Sequence, residues 1–140
     1  MSIHLAAADD QIASCFAVMQ QLRPHLVESA FVARIRSQMT SGYRLAYCET
    51  DDQTVAVAGF RVIENLAWGR FLYVDDLVTG GNHRSQGHGD ALFEWLIDDA
   101  KRQGCGELHL DSGVQRFGAH RFYLSKRMDI TSHHFAMKVN

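Results

Sequence analysis

The stretch Gly80-Gly81-Asn82-His83-Arg84-Ser85-Gln86-Gly87-His88-Gly89 decides how the rest of the sequence is interpreted. Before it, Arg70 to Thr79 is rich in β-branched and aromatic residues, which predicts a strand. After it, apolar residues recur at helical spacing to about Gln103, and Gly104 is placed to end that helix. The quoted stretch therefore connects a long strand to the start of an amphipathic helix.

A helix start of this composition is suited to an anion. The first backbone N–H groups of a helix have no partners within it, and the helix dipole adds partial positive charge there. Gly87 and Gly89 allow close approach of a ligand to the backbone, while Arg84, Ser85 and Gln86 supply further donors. The sequence thus predicts a phosphate-binding turn.

Other interpretations of the same glycines stay open at this point. An isolated G-x-G is more often only a tight strand-to-helix turn without a ligand. No third glycine completes G-x-G-x-x-G, and no Gly-Lys-Ser/Thr follows, so dinucleotide and nucleoside triphosphate binding are disfavoured. A phosphate-ligand domain with another chemistry is a third possibility.

The remaining periodicity predicts a strand, two helices and an antiparallel meander before the quoted stretch. A first helix is expected from Asp9 or Asp10 to about Leu22, and Gly42 ends a second helix. The other predicted elements are a first strand Ser2–Ala6, the Phe31, Ile35 and Met39 stripe of the second helix, the strands Tyr43–Glu49 and Thr54–Glu64, their Asp51-Asp52 turn, and an Asn65–Gly69 turn before the third strand.

Composition restricts the class of protein. The chain has 140 residues, 46% hydrophobic and 21% charged, which is typical of one globular domain. The net charge of -2 does not produce an electrostatic field that would favour binding to nucleic acid or to an anionic membrane. Neither a signal peptide nor a membrane span is recognisable, so we expect a cytoplasmic location. The three cysteines form no C-x-x-C pair, and His133 and His134 would face opposite sides of a strand, so no metal site is expected.

The motifs together resemble the GNAT superfamily of N-acetyltransferases. Its cofactor motif, Arg/Gln-x-x-Gly-x-Gly/Ala at a helix start after a long strand, is matched by Arg84, Gly87 and Gly89. Further similarities are the order of elements, Gly59, the segment 76–79, which looks like the family's central strand, and the segment 119–123, which is similar to its A-x-x-F/L-Y motif. The resemblance implies an α/β (α+β) fold with a mixed, mainly antiparallel sheet flanked by helices.

The resemblance also implies acetyl-CoA as co-substrate, with no metal, and a set of contacts to it. These contacts come from the end of the central strand and from the turn that opens the following helix. The residues are Leu77, Val78, Thr79, Arg84, Ser85, Gln86, Gly87, His88, Gly89 and Asp90.

The implied reaction is direct attack of a primary amine on the acetyl group. A free alkylamine, with a pKa of about 10, needs a base or desolvation at neutral pH, and Asp76 is the candidate base, whereas Asp75 should point the other way by strand alternation. Tyr123 is the candidate general acid for the departing thiolate. A backbone N–H freed by a strand bulge, at Val78 or Thr79, would stabilise the oxyanion.

The sequence departs from the family pattern at three places. Gly81 stands where proline is usual, His88 where an aliphatic residue is usual, and Arg127-Met128 where a Gly-aromatic pair is usual. The last departure affects the wall of the acceptor site. It motivates the alternative that the chain is an acetyl-CoA-binding sensor or scaffold module without acceptor turnover.

The sequence also gives expectations for the acceptor and for the binding partners. A small-molecule amine is favoured over a protein, and no nucleic acid or membrane partner is expected. Arg34, Arg36 and Arg44 could receive an anionic group on the acceptor, although arginines beside an apolar stripe are more often surface residues. A terminal strand with Phe135, Met137 and Val139 on one face is expected to complete a sheet within the chain or across a homodimer.

Overall fold

The computed structural model describes residues 1–140, and the chain forms two compact units, Met1–His109 and Leu110–Asn140. The expectation of a single domain therefore stays a prediction. The elements in chain order are β1 (Ser2–Leu5), α1 (Asp9–Ala13), α2 (Phe16–Leu22), α3 (Glu28–Met39), β2 (Arg44–Thr50), β3 (Gln53–Asn65), β4 (Gly69–Thr79), a short 3-10 turn (Gly81–His83), α4 (His88–Arg102), β5 (Glu107–Leu110) and α5 (Phe117–Ser125).

The sheet has the order β1-β2-β3-β4-β5 and is mixed and mainly antiparallel. The pairs β1–β2, β2–β3 and β3–β4 are all antiparallel, so the predicted meander is confirmed. Asp51 and Asp52 have φ angles of 52° and 60°, which suit the tight two-residue connection between β2 and β3. The predicted Asp51-Asp52 turn is confirmed as well.

Alternation along β2 shows how the sheet separates two helical layers. Leu45 and Tyr47 belong to the buried cluster formed with α1, α2 and α3. On the opposite face, Arg44 Nη1 donates to Asp99 Oδ2 of α4 at 2.8 Å, and Cys48 Sγ lies 4.0 Å from His88 Nδ1. Helices therefore cover both faces, and the predicted fold class is confirmed.

The expectation of one first helix from Asp9 or Asp10 to Leu22 is wrong, because α1 ends at Ala13 and α2 begins at Phe16. The Ser14 hydroxyl donates to the Gln11 carbonyl at 2.7 Å, and the Cys15 N–H donates to the Ile12 carbonyl at 3.0 Å. A serine side chain that bonds the preceding turn competes with the helical ladder. The helix is thus interrupted at a position where the apolar spacing continues.

The expected terminal strand does not form within the chain, since no helix or strand follows Ser125. Phe135, Met137 and Val139 are 92%, 81% and 83% exposed. Alternating apolar residues indicate that a segment can form a strand, but a strand also needs a neighbouring backbone to pair with. The prediction that this terminal segment completes a sheet within the chain is therefore wrong.

A β-bulge interrupts the ladder between β3 and β4. Gly59 is opposite Asp76, whereas Phe60 is opposite Val74, so Asp75 is the extra residue on β4. Facing Gly59, the phenol of Tyr43 occupies the space that a Cβ would take. The sheet at this point depends on a glycine.

The structure holds neither a candidate membrane span nor a candidate metal cluster. No helix reaches the length and apolar character that crossing a bilayer requires. No three His, Cys, Asp or Glu side chains are grouped so that they could hold a metal ion. All three cysteines are free thiols.

We predict that Gly59→Ala destabilises the protein by about 1–3 kcal/mol, because the new methyl overlaps the buried Tyr43 ring and forces it to move. The free energy of unfolding in urea measures the effect. Gly106→Ala is the matched control, since a Cβ there meets nothing within 4 Å. Equal stability of the two variants would contradict the prediction.

Candidate functional site

Helix α4 begins with an open anion-binding turn. Gly87, the N-cap residue, has φ +84°, and a Cβ there would have nothing within 4 Å. No side chain caps the first amides of this 15-residue helix. Uncapped amides and the positive end of the helix dipole together suit a phosphate group.

The residues before Gly87 shape the turn. Ser85 also has a positive φ, +64°, and Arg84 is exposed without an ion-pair partner. The side chain of His88 points inward, where Cys48 Sγ lies 4.0 Å from Nδ1, and Gln86 Oε1 lies 3.3 Å from Nε2. His88 therefore offers its backbone N–H to the turn, rather than its ring.

The end of β4 lies directly against the start of α4. A Cβ on Gly89 would lie 3.0 Å from Thr79 Oγ1, so glycine allows the helix to begin this close to the strand. Val78 is buried, whereas Leu77, Thr79 and Gly89 are half-buried and Asp90 is exposed. The residues of β4 and α4 that sequence reasoning singled out thus meet at one junction.

The Asp76 carboxylate is held by two donors. Arg23 Nε donates to Oδ1 at 2.9 Å, and the Tyr43 hydroxyl donates to Oδ2 at 2.9 Å. Burial, reinforced by the charge of Asp76, raises the pKa of Tyr43, so the phenol stays protonated and remains a donor. The Asp76 side chain is thus held in a fixed orientation near the end of β4 and is 15% exposed.

The expectation that Asp75 points away from Asp76 is wrong, because the bulge breaks the alternation and both aspartates line the same cavity. Arg61 Nε donates to Asp75 Oδ2 at 2.9 Å, whereas Oδ1 is buried without a donor. Desolvation raises the pKa of Asp75, and the hydrogen bond and charge of Arg61 oppose that shift. The residue with the perturbed carboxyl is thus the inserted one.

The bulge also lies earlier than expected. Val78 and Thr79 pair regularly with Val57 and Ala56, and the interruption is at Asp75. A backbone N–H released from the ladder by the bulge would belong to the Asp75–Asp76 segment. The expected bulge position is therefore wrong, whereas the assignment of the oxyanion N–H to Val78 or Thr79 stays a prediction.

A cavity of about 350 Å³ opens beside the two aspartates, between β4 and the helices α2 and α3. Its wall combines apolar side chains such as Met19 and Phe31 with charged ones. The volume is at the low end of the range for small-molecule sites. The site is therefore sized for a small ligand.

The structure places the three arginines singled out from the sequence in different environments. Arg34 lines the cavity. Arg36 Nη2 donates to Asp9 Oδ1 at 2.7 Å, and Arg44 Nη1 donates to Asp99 at 2.8 Å, so both are structural ion pairs. Neither Arg36 nor Arg44 lines the cavity, and the surface interpretation is the better one for Arg36.

Tyr123 belongs to the second unit, on α5, and is half-buried. Burial raises the pKa of Tyr123, although a hydrogen bond and the charge of Arg116 partly oppose the shift. The phenol is consequently protonated at neutral and moderately alkaline pH. That is the ionisation state which a general acid requires.

Sequence reasoning missed the residues that hold the aspartates. Arg23, which precedes Pro24, and Tyr43, at the start of the meander, carry no motif that distinguishes them from surface and core residues. Arg61 lies on the face of β3 opposite to Phe60, and its pairing with Asp75 depends on the bulge, which no sequence pattern shows. Gly59 was recognised by resemblance, but its packing partner was not.

Comparisons with known proteins agree with this architecture. The model of the acetyltransferase (GNAT) family matches residues 10–128. The Bacillus subtilis (strain 168) protein named "Uncharacterized N-acetyltransferase YhdJ" is 29% identical over 118 residues, which is 84% of this chain and 83% of that protein.

Two solved structures share the fold at low sequence identity. Glucosamine-6-phosphate N-acetyltransferase from Arabidopsis thaliana superposes with a TM-score of 0.79 at 18% identity, covering 99% of this chain and 98% of that one. AAC(6')-Iy in complex with the bisubstrate analogue CoA-S-monomethyl-acetylneamine superposes with a TM-score of 0.86 at 11% identity, covering 99% and 97%. At these identities the superpositions concern the fold alone.

The family match extends over most of the chain and includes the β4–α4 junction as well as α5. It covers the segments in which the sequence motifs lie. The chain therefore belongs to the GNAT family and is an acetyl-CoA-dependent acyltransferase of the N-acetyltransferase type.

Proposed function

We propose that the protein transfers an acetyl group from acetyl-CoA to the primary amine of a small molecule. The observation that carries the proposal is the uncapped, glycine-lined start of α4, which lies at the end of the same strand that carries Asp76. A small acceptor is supported by the size of the cavity beside Asp76. One structural neighbour is named for a small amine acceptor, glucosamine-6-phosphate.

The start of α4 fits the pyrophosphate of coenzyme A. The space around Gly87 is one that a Cβ would fill, and the first amides of the helix have no side-chain cap. Exposed Arg84 would pair with phosphate oxygens, and Ser85 and Gln86 would add donors. Leu77, Val78 and Thr79 are proposed to flank the acyl end, and the backbones of His88, Gly89 and Asp90 to face the phosphates.

When bound, acetyl-CoA supplies a thioester whose carbonyl carbon accepts the amine nitrogen. Asp76 is proposed to attract the ammonium form of the acceptor and to take its proton, directly or through water. A carboxylate offers about four acceptor positions, and Arg23 and Tyr43 occupy two of them. Asp76 therefore retains acceptor capacity in the held orientation.

Tyr123 is proposed to return a proton on the leaving side of the reaction. The raised pKa of Tyr123 supports this role, since the proton stays on the phenol until a stronger base forms. A departing thiolate, whose conjugate acid has a pKa of about 8.5 by analogy with cysteine, gains most from such a donor. Starting from the ammonium form, the nitrogen loses two protons: one passes through Asp76 to solvent, and the other leaves as the amide forms. The sulfur gains one proton from Tyr123, which is then reprotonated, so the exchange balances with one proton released to solvent.

We predict that Gly87→Ala weakens acetyl-CoA binding about tenfold to hundredfold, because the methyl would enter the open space proposed for the phosphate. Gly104→Ala is the matched control at the other end of α4, with φ +75° and equally open space. Both variants should lose about 1–2 kcal/mol of stability from the left-handed backbone. Calorimetry showing equal affinities for the two variants would count against the phosphate site.

We predict that Tyr123→Phe lowers kcat about 100-fold or more while acetyl-CoA affinity stays within about twofold. Loss of a proton donor affects the chemical step rather than binding of the nucleotide. Tyr47→Phe, on β2, controls for the loss of a tyrosine hydroxyl elsewhere in the protein. Unchanged kcat in Tyr123→Phe would remove Tyr123 as the acid.

An amine panel tests the proposed activity itself. The protein is incubated with acetyl-CoA and a mixture of primary amines, and free thiol is followed against the hydrolysis blank. We expect thiol release that depends on at least one amine and yields the N-acetyl product by mass spectrometry. Tight acetyl-CoA binding without any amine-dependent release would instead indicate the sensor or scaffold alternative.

A further inference from the structure

Positive side chains at and beside the cavity outnumber the negative ones. Asp76 is neutralised by Arg23, with Nε 2.9 Å from Oδ1, and Asp75 is neutralised by Arg61, with Nε 2.9 Å from Oδ2. Each carboxylate of the cavity therefore already has its own guanidinium. Beyond the amine directed to Asp76, a second ammonium group on a ligand would find no accessible carboxylate oxygen, because Asp75 Oδ1 has no donor but is buried.

Arg34 is the cavity-lining arginine that has no partner. It projects from α3, is exposed, and makes neither an ion pair nor a hydrogen bond. His25, on the segment between α2 and α3, also lines the cavity without a partner. Because the aspartates are matched, the guanidinium of Arg34 leaves the cavity with an uncompensated positive charge.

An unpaired arginine at the wall of a small-molecule cavity favours an anionic group on the ligand. Its guanidinium presents paired N–H donors that match the geometry of a carboxylate or a phosphate. Arg36, two residues further along the same helix, is held instead by Asp9 on the surface. The difference between these two arginines distinguishes a ligand-facing side chain from a structural one.

We propose that the acceptor is a small primary amine that also carries an anionic group, with Arg34 binding the anion and His25 adding a donor, while the amine is directed to Asp76. This inference rests on the proposed function, because it names the acceptor class of the same site. The cavity volume of about 350 Å³ suits a small acceptor. Diamines are disfavoured, because Arg34 repels a second cation.

Matched pairs of probes test the proposal by binding, independently of turnover. Phosphoethanolamine is compared with ethanolamine, and β-alanine with 3-amino-1-propanol, so that each pair differs in its anionic group. 1,3-Diaminopropane represents the dications. Calorimetry in the presence of coenzyme A gives each Kd for the wild type, Arg34→Gln and the control Arg36→Gln.

We expect the anionic member of at least one pair to bind about tenfold to hundredfold more tightly than its neutral partner. Arg34→Gln should abolish that preference while the neutral amines and coenzyme A bind as before, and Arg36→Gln should retain it. This result supports the inference even if no amine is acetylated, in which case only the proposed function fails.

The inference is overturned if neutral, anionic and dicationic amines bind alike, or if Arg34→Gln leaves the anionic preference intact. Acetylation of neutral amines in that situation would leave the proposed function standing. Thermal unfolding of each variant shows whether a loss of binding reflects a loss of folding. A retained melting temperature with lost preference assigns the effect to the guanidinium.

Discussion

The structure depends on the close junction between the end of β4 and the start of α4. Gly89 lies so near Thr79 that a Cβ would be 3.0 Å from its hydroxyl oxygen. This junction fixes the uncapped first turn of α4 beside the strand that carries the aspartates. Because residue 89 is a glycine and has no side chain, the start of α4 and the end of β4 can lie in direct contact.

Polar interactions on the two faces of the sheet have different roles. On the α4 face, Asp99 is buried and held by Arg44, which anchors the body of the helix to β2. On the other face, Tyr43 and Arg23 orient Asp76 next to a cavity. A buried charge is tolerated in both places because it is paired and hydrogen-bonded. The first pair positions a helix, and the second positions a carboxylate.

Much of the fold was predictable because it follows from strong local periodicity. The β2–β3 hairpin and α4 were predicted from alternation, turn residues and a terminal glycine, all of which are local signals. The break at Ser14 was not, since it arises from a side-chain hydrogen bond within an unbroken apolar pattern. The terminal strand was predicted wrongly because pairing partners are not encoded in the segment itself.

The candidate site was predictable in part. Resemblance suggested Gly87, Asp76 and Tyr123 as candidate site residues, but the donors to Asp76 come from residues 53 and 33 positions away in sequence. Local sequence patterns do not predict contacts between residues so far apart in the chain. At Arg127, where the family usually has glycine, the backbone has φ +65°. The sequence suggested a changed wall, whereas the backbone keeps the left-handed conformation that glycine favours.

The bulge in β4 separates two stretches of sheet that are otherwise in regular register. Phe60 to Asn65 pair without interruption on one side of Asp75, and Ala56 to Gly59 pair without interruption on the other. Removing the single inserted residue would in principle join these stretches into a straight strand without altering any other pair. The inserted residue carries the carboxylate that Arg61 holds at the cavity wall, so the bulge adds a charged group to this side of the sheet. One additional residue thus changes which side chains the strand presents to the cavity, while the strand pairs on both sides of it keep a regular register.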